Sequence, residues 1–319
     1  MIQVKNLTKK FANVEALKGI SFSIEKGEIY GLLGPNGAGK TTTISILSTL
    51  TKQDAGEVLL NGFDINKEAQ KIKRIIGVVP QEIALYQELT AYDNLIFWGG
   101  LYDIPADKLK AKVEEILKLV GLFERKDDKI KTYSGGMKRR INIASALLHS
   151  PEIIFMDEPT VGIDPQSRNL IYEVIEKLNK SGITIVYTTH YMEEAERLCK
   201  HIGIIDNGKI IAQGTLDELR DKSDSKQCIV IKISNMMSEH VETQGVVSKF
   251  MGEEISEMPG RNFFFRNGAL QYFSKDIKND LPRLINRLSK FSLEISHVDI
   301  QRPTLESIFL SLTGKGLRD

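Results

Sequence analysis

Cysteine is scarce in this 319-residue chain, which holds only Cys199 and Cys228. Two thiols this far apart make neither a disulfide framework nor a metal-ligand pattern, and free thiols in a reducing compartment account for them. Cys199 lies two residues from His201, but two candidate ligands fall short of the four that a structural zinc takes. An excess of one charge is lacking too. The 43 basic and 42 acidic residues leave a net charge of +1, which gives no electrostatic basis for nucleic acid as the main partner. No stretch approaches the roughly 18 uninterrupted apolar residues of a membrane-spanning helix. Met1-Ile2-Gln3-Val4-Lys5 starts a strand-like segment without the apolar core of a signal peptide. These absences predict a soluble protein, for which another chain must supply any membrane part. Internal repeats and low-complexity segments are missing as well.

What is present is a phosphate-loop pattern, G-x-x-x-x-G-K-[ST], matched in full by Gly34-Pro35-Asn36-Gly37-Ala38-Gly39-Lys40-Thr41. It follows the apolar run Ile29–Leu33, a predicted buried strand, and leads into Thr41–Leu47, a predicted helix start. In that setting loop N–H groups and the positive helix end converge on one place, where anionic phosphate is favoured. Lys40 adds a point charge near the outer phosphates, and the Thr41 hydroxyl is a candidate Mg²⁺ ligand. The motif predicts a nucleoside triphosphate site.

Hydrophobic residues at 41% and charged residues at 27% are ordinary for a globular protein, and the length suffices for an α/β core plus a smaller domain. Strand-like runs alternate with amphipathic helices from Ile2 to about Gln213, which predicts an α/β fold with a mainly parallel sheet. Ile153–Met156 and Ile183–Tyr187 are apolar, β-branched runs suited to the sheet centre. Leu109, Val113, Ile116, Leu117 and Val120 recur at helical spacing. Ile202–Ile205, Asn207-Gly208 and Lys209–Ile211 read as a closing hairpin. The polar stretch Asp221–Lys226 marks a boundary. Beyond it the pattern predicts a strand at Cys228–Ile233, a helix near Val241–Phe250, and strands at Phe263–Phe265 and Tyr272-Phe273. A helix near Leu281–Leu288, a strand from Leu293 to Ile300 and a short helix from Thr304 complete a small α+β domain.

Ile153–Met156 ends in Asp157-Glu158, two carboxylates at the mouth of a strand. Beside a phosphate loop, the first suits Mg²⁺ and the second can take a proton from an attacking water. The order of these motifs resembles the nucleotide-binding subunit of ATP-binding-cassette (ABC) transporters over about Ile2 to Leu219. The resemblance implies a P-loop NTPase cassette, with a mainly parallel core, an antiparallel β subdomain and a helical subdomain. It places the cassette at residues 1–220, its helical subdomain at about 85–150, and a C-terminal accessory α+β domain at 226–319. Phe11 stands where the family stacks an aromatic on adenine. Gly34, Pro35, Asn36, Gly37, Ala38, Gly39, Lys40, Thr41 and Thr42 correspond to nucleotide contacts. Gln81 matches the Q-loop glutamine, a catalytic and metal-contacting position, and Asp157 the metal-holding aspartate. Glu158 and His190 match the catalytic glutamate and the switch histidine, while Gly162-Ile163-Asp164 matches the D-loop. Tyr133-Ser134-Gly135-Gly136-Met137 matches the signature usually written LSGGQ, with Tyr133 and Met137 departing from it. Ser134, Gly135 and Gly136 are retained, so phosphate contact is expected to survive. His149, His201, His240 and His297 have no such counterpart and are expected to be structural.

The resemblance further implies ATP and Mg²⁺ as cofactors, and hydrolysis by two cassettes facing head to tail, expected to be a homodimer. A separate transmembrane permease would hold the chain peripherally on the cytoplasmic face of the membrane, with no nucleic acid partner. The variant signature and the segment Arg302–Leu310 resemble the ATPases of bacterial drug- and antibiotic-resistance exporters. An importer ATPase and a soluble ABC ATPase acting on nucleic acid or the ribosome are the alternatives. Against the latter, the chain has neither a long coiled coil nor a second cassette. Leu85, Tyr86 and Leu89 are either permease contacts or core.

Overall fold

The computed structural model describes residues 1–222, 227–233, 263–266, 269–274, 276–290, 293–301 and 304–313. The chain forms two compact units, Met1–Leu219 and Arg220–Gly316.

In the first unit, strand β1 (Ile2–Phe11) pairs antiparallel with β2 (Val14–Ile24) and β4 (Ala55–Leu60), and β5 (Phe63–Asp64) closes that sheet. A second, six-stranded sheet is built on β3 (Ile29–Leu33), β6 (Ile76–Val79), β7 (Ile153–Asp157), β8 (Thr184–Thr189), β9 (His201–Asp206) and β10 (Lys209–Gly214). Its order is β10-β9-β3-β8-β7-β6, parallel except for β10 on β9. Every residue of β3, β7 and β8 is buried, as continuous apolar runs covered on both faces must be. The two-residue period of β7 divides its side chains between two cores. Ile154 and Met156 join a cluster with Val113, Ile141 and Ile175. Ile153 and Phe155 join one with Ile2, Leu32 and Ile46.

Helix α1 (Lys40–Leu47) follows β3, and α2 (Ala69–Ile75) precedes β6. Between β6 and β7 stand α3 (Ala91–Gly100), α4 (Ala106–Leu119) and α5 (Gly135–Ser145). Thr90 caps α3 by accepting the Asp93 N–H at 3.0 Å, and Asp93 takes the Thr90 hydroxyl at 2.7 Å. α4 buries Leu109, Val113, Ile116 and Leu117, each contributing about 1.5–3 kcal/mol at most. A Cβ at Gly99 would stand 2.2 Å from the Leu109 side chain, so glycine is what lets α3 and α4 approach. α6 (Pro165–Lys180) and α7 (Met192–Leu198) flank β8, and α8 (Leu216–Lys222) follows β10. Among the described residues no helix is long and apolar enough to cross a membrane.

The second unit holds β11 (Gln227–Ile233), β12 (Phe263–Arg266), β13 (Ala269–Ser274) and β14 (Ile295–Gln301), antiparallel in the order β12-β13-β11-β14. α9 (Ile277–Lys290) sets Leu284 and Leu288 against Ile229, Ile231 and Leu270, and α10 (Leu305–Thr313) follows. α9 begins one turn ahead of the expected Leu281, because the Asp276 carbonyl accepts the Asp280 N–H at 2.9 Å and its carboxylate the Asn279 N–H at 3.3 Å. The helix expected near Val241–Phe250 and the residues Arg302-Pro303 lie outside the described residues.

Candidate nucleotide site

β3 ends in the loop Gly34–Gly39, and Gly37 (φ +79°) and Gly39 (φ +114°) take backbone conformations that L side chains resist. At Gly34 a Cβ would lie 2.1 Å from the Ile205 carbonyl oxygen, so the loop sits hard against β9. The buried Lys40 ammonium donates to the carbonyls of Gly34 at 2.7 Å and Pro35 at 3.0 Å. It also pairs with Glu158 Oε1 at 2.9 Å.

Asp157 closes β7, and its Oδ1 accepts the Thr188 hydroxyl at 2.6 Å. Glu158 has φ +45°, rare for a residue with a Cβ. Its N–H is held by the Thr188 hydroxyl at 3.0 Å. Its Oε2 stands 3.2 Å from His190 Nδ1. A carboxylate only accepts, so Nδ1 carries the proton there. Glu158 thus has a cation on one oxygen and an imidazole N–H on the other, in a strained backbone position of the kind that gathers at functional sites.

Lys40, Thr41, Thr42, Asn36, Gly37, Gly39, Gln81, Glu158 and His190 line one cleft of about 850 Å³. The Gln81 backbone is clamped, its carbonyl accepting from Arg139 Nη2 at 2.5 Å, while the residue itself is exposed. Several further walls of the cleft carry no motif: Lys10, Asn13, Val14, Ala16 and Lys18 from the β1–β2 hairpin, and the Asn207-Gly208 turn. Gly208 donates to the Ala38 carbonyl at 3.0 Å and accepts from Lys18 N–H at 2.8 Å, docking the turn onto both. Phe11 is exposed on the same hairpin, with the Lys9 ammonium 5.2 Å from its ring centroid, but it does not line the cleft.

Ser134, Gly135 and Gly136 are likewise absent from this cleft. Ser134 caps α5, its hydroxyl accepting the Met137 N–H at 3.3 Å. Ser134 and Gly135 are exposed, whereas Gly136 is buried and a Cβ there would stand 2.3 Å from Ser167 Cβ. Its smallness therefore serves the contact between α5 and α6. Tyr133 buries its ring and donates its hydroxyl to the Arg125 carbonyl at 2.5 Å. Met137 packs partly buried against the same core, which explains how both departures fit. Asp164 caps α6 by accepting the Ser167 N–H at 2.9 Å, and that bond holds its carboxyl below the usual range.

A second cleft of about 1160 Å³ runs among α2, α3, α4 and α5. Its lining combines apolar Leu50, Trp98, Leu101, Tyr102 and Ile104 with basic Lys73, Arg74, Lys108 and Lys112. Tyr86, Leu89 and Phe97 are exposed nearby in sequence, and Tyr86 packs edge-on to Phe97 at 4.9 Å. Leu85 packs partly buried against the core. Two of the histidines outside the first cleft have internal partners: His201 Nδ1 meets buried Glu28 at 3.0 Å and His149 Nε2 the Ile76 carbonyl at 2.7 Å, while His240 lies outside the described residues.

The ABC transporter family model matches residues 17–161. The linearmycin resistance ATP-binding protein LnrL of Bacillus subtilis is 44% identical over 319 residues, the full length of both chains. The Nod factor export ATP-binding protein I of Ralstonia nicotianae is 34% identical over all of this chain and 95% of its own. Among solved structures, the dimeric post-hydrolysis state of the cassette MJ0796 bound to ADP and Pi is similar with a TM-score of 0.62. It is 31% identical, over 68% of this chain and 99% of that one.

Proposed function

This chain belongs to the ATP-binding proteins of ABC transporters, and from that premise we propose how its residues divide the work. It binds and hydrolyses ATP as the ATP-binding subunit of an exporter, and the relatives do not favour an importer. Subunits of this kind dimerise and act with transmembrane partners. The cargo is a drug or antibiotic, a reading supported by the resistance function named for the Bacillus relative.

The observation that carries the site is the meeting of Lys40, Glu158 and His190 at the end of the glycine loop. Loop N–H groups between Asn36 and Thr42 and the Lys40 ammonium hold the phosphates. Phe11 stacks on the base, its exposed ring favouring this role. Glu158 orients the attacking water and takes its proton, and His190 holds the Glu158 carboxylate in place. The oxygen donors Thr41, Asp157 and Gln81 suit a hard cation such as Mg²⁺, which neutralises phosphate charge when bound. Among the described residues no group of three or more His, Cys, Asp or Glu residues could hold a metal.

Ser134, Gly135 and the N-terminal end of α5 serve the nucleotide of a second copy, a reading supported by the exposure of Ser134 and Gly135 and by their absence from the first cleft's lining. The larger cleft, with the Tyr86–Phe97 patch, receives a separate permease, which keeps the chain peripheral on the cytoplasmic face of the membrane. Residues 226–319 are accessory to the chemistry. A nucleotide titration tests the site. Lys40→Ala removes a charge-assisted contact worth about 1.5–3 kcal/mol, so ATP should bind roughly 10- to 100-fold more weakly. Unchanged affinity in a folded variant refutes the site.

A further inference from the structure

Glu194 is a carboxylate only 2% exposed, on the first turn of α7, and nothing in the reaction described above uses it. Four hydroxyls surround it. Its Oε1 accepts from Thr160 at 2.6 Å and from Tyr172 at 2.8 Å. Its Oε2 accepts from Tyr187 at 2.9 Å and from Thr189 at 2.8 Å. A carboxylate offers about four acceptor positions, so this set fills it. The Arg168 guanidinium, with Nε 3.9 Å from Oε1, supplies the nearest positive charge.

The donors come from places that matter. Thr160 lies two residues beyond Glu158, and Thr189 immediately precedes His190. The Thr189 hydroxyl also accepts the Tyr191 N–H at 2.9 Å, so both neighbours of His190 hang on one oxygen. Arg168 reaches the loop after Glu158 as well, donating from Nη2 to the Ile163 carbonyl at 3.3 Å. One buried anion therefore ties the segment that follows Glu158 to the segment that presents His190. Burying a carboxylate costs several kcal/mol unless its hydrogen bonds are complete. Two adjacent loops in fixed register are what completes them here.

We propose that Glu194 is a positioning residue for ATP hydrolysis, setting the facing geometry of Glu158 and His190 through Thr160 and Thr189. It does not line the nucleotide cleft. The inference rests on the site assigned above. Replacing the carboxylate by an amide of equal size turns an NH₂ group toward hydroxyls that now donate, and the two loops lose their common anchor. None of the Glu194 hydrogen bonds goes to the glycine loop or to Lys40, so the loss falls mainly on turnover and not on nucleotide binding.

The test compares full-length wild type with Glu194→Gln, Thr189→Val and Tyr172→Phe in steady-state hydrolysis and in equilibrium binding of a fluorescent ATP analogue. Glu194→Gln should lower kcat at least tenfold, with KM and the analogue's Kd within about twofold of wild type. Thr189→Val, which cuts the link to His190, should lower kcat by severalfold. Tyr172→Phe removes a donor that belongs to neither loop and should leave kcat within twofold. Equal losses for Thr189→Val and Tyr172→Phe would mark Glu194 as a general packing element and overturn the proposal. So would an undiminished kcat in Glu194→Gln, or a Kd that rises as kcat falls. If Glu194→Gln does not fold, the contrast between the two single-donor variants decides alone. Glu158→Gln runs in parallel: full activity there refutes the site itself, whatever Glu194 shows.

Discussion

The cleft around Lys40 and the cleft around Trp98 lie in the same unit but are made of different things. Loops and strand ends wall the first, and its decisive groups are charges held against each other: Lys40 with Glu158 at 2.9 Å, and His190 with the same carboxylate at 3.2 Å. Helices wall the second, whose lining combines apolar with basic side chains. Preorganised charge on buried side chains, as at Lys40 and Glu158, suits a reaction that moves charge. A wide amphipathic groove lacks such groups and suits a protein segment. On the proposed reading the difference separates chemistry from coupling, and each side can be attacked alone.

The largest effect is expected from Glu158→Gln. The amide keeps the size of the side chain but cannot act as a base, while Lys40, Thr41 and Asp157 remain for binding. Hydrolysis should fall by about 10²–10⁴, and ATP should persist and hold the dimer closed. Adding Ser134→Arg should abolish that dimer without weakening ATP on its own loop. Light scattering with ATP beside a phosphate-release assay reads both. Wild-type hydrolysis in the single variant, or a closed dimer that survives the second substitution, would erase the distinction drawn for the first cleft.

The motifs of that cleft were legible because each is local. An apolar run ending in Asp157-Glu158 declares a central strand and its mouth, and the glycine loop declares the bend that α1 follows. Lys10, Lys18 and Asn207-Gly208 were not legible, since they reach the cleft only when the β9–β10 turn docks on the phosphate loop and on β2. The hydrogen bond from Gly208 to Ala38 spans far more chain than any motif. Glu194 was hidden differently. In Met192-Glu193-Glu194-Ala195-Glu196 three carboxylates share a short helix, and nothing in their order sets one apart from the others. The fold buries one, because Tyr172, Tyr187, Thr160 and Thr189 converge on it. Tyr86 and Leu89, open between core and surface in the sequence, prove exposed, and Leu85 partly buried.

The second cleft should yield to a change that leaves the first untouched. Leu101 lines the cleft and is 63% exposed, so Leu101→Asp costs the fold little. It places an anion where a permease segment would meet leucine, and copurification with the permease should fall about tenfold, equivalent to about 1.4 kcal/mol. Nucleotide affinity and basal hydrolysis of the isolated chain should stay within about twofold. Full retention of the permease by this variant would remove the second cleft as its receptor.

The smallest effect lies in the wall of that cleft, where the His149 ring stacks on Tyr102 with centroids 3.9 Å apart. Burial pushes the His149 pKa below its ordinary 6.5, against a smaller opposing push from the Ile76 carbonyl that accepts from Nε2. Its Nδ1 is buried without a partner, so protonation would add a donor with nothing to receive it. Because the folded state binds this proton less readily than the unfolded chain, the neutral ring contributes stability above the ordinary histidine value. That contribution drains as pH falls toward the depressed folded value. Trp98, the single tryptophan of the chain, lines the same cleft and reports on it. Urea unfolding followed by Trp98 emission should show wild type losing more stability between pH 7.5 and 5.5 than His149→Gln, which has no proton to take up. Parallel losses in the two proteins would assign the acid sensitivity elsewhere. A slope of the opposite sign would mean that the charged ring finds an acceptor when this wall opens.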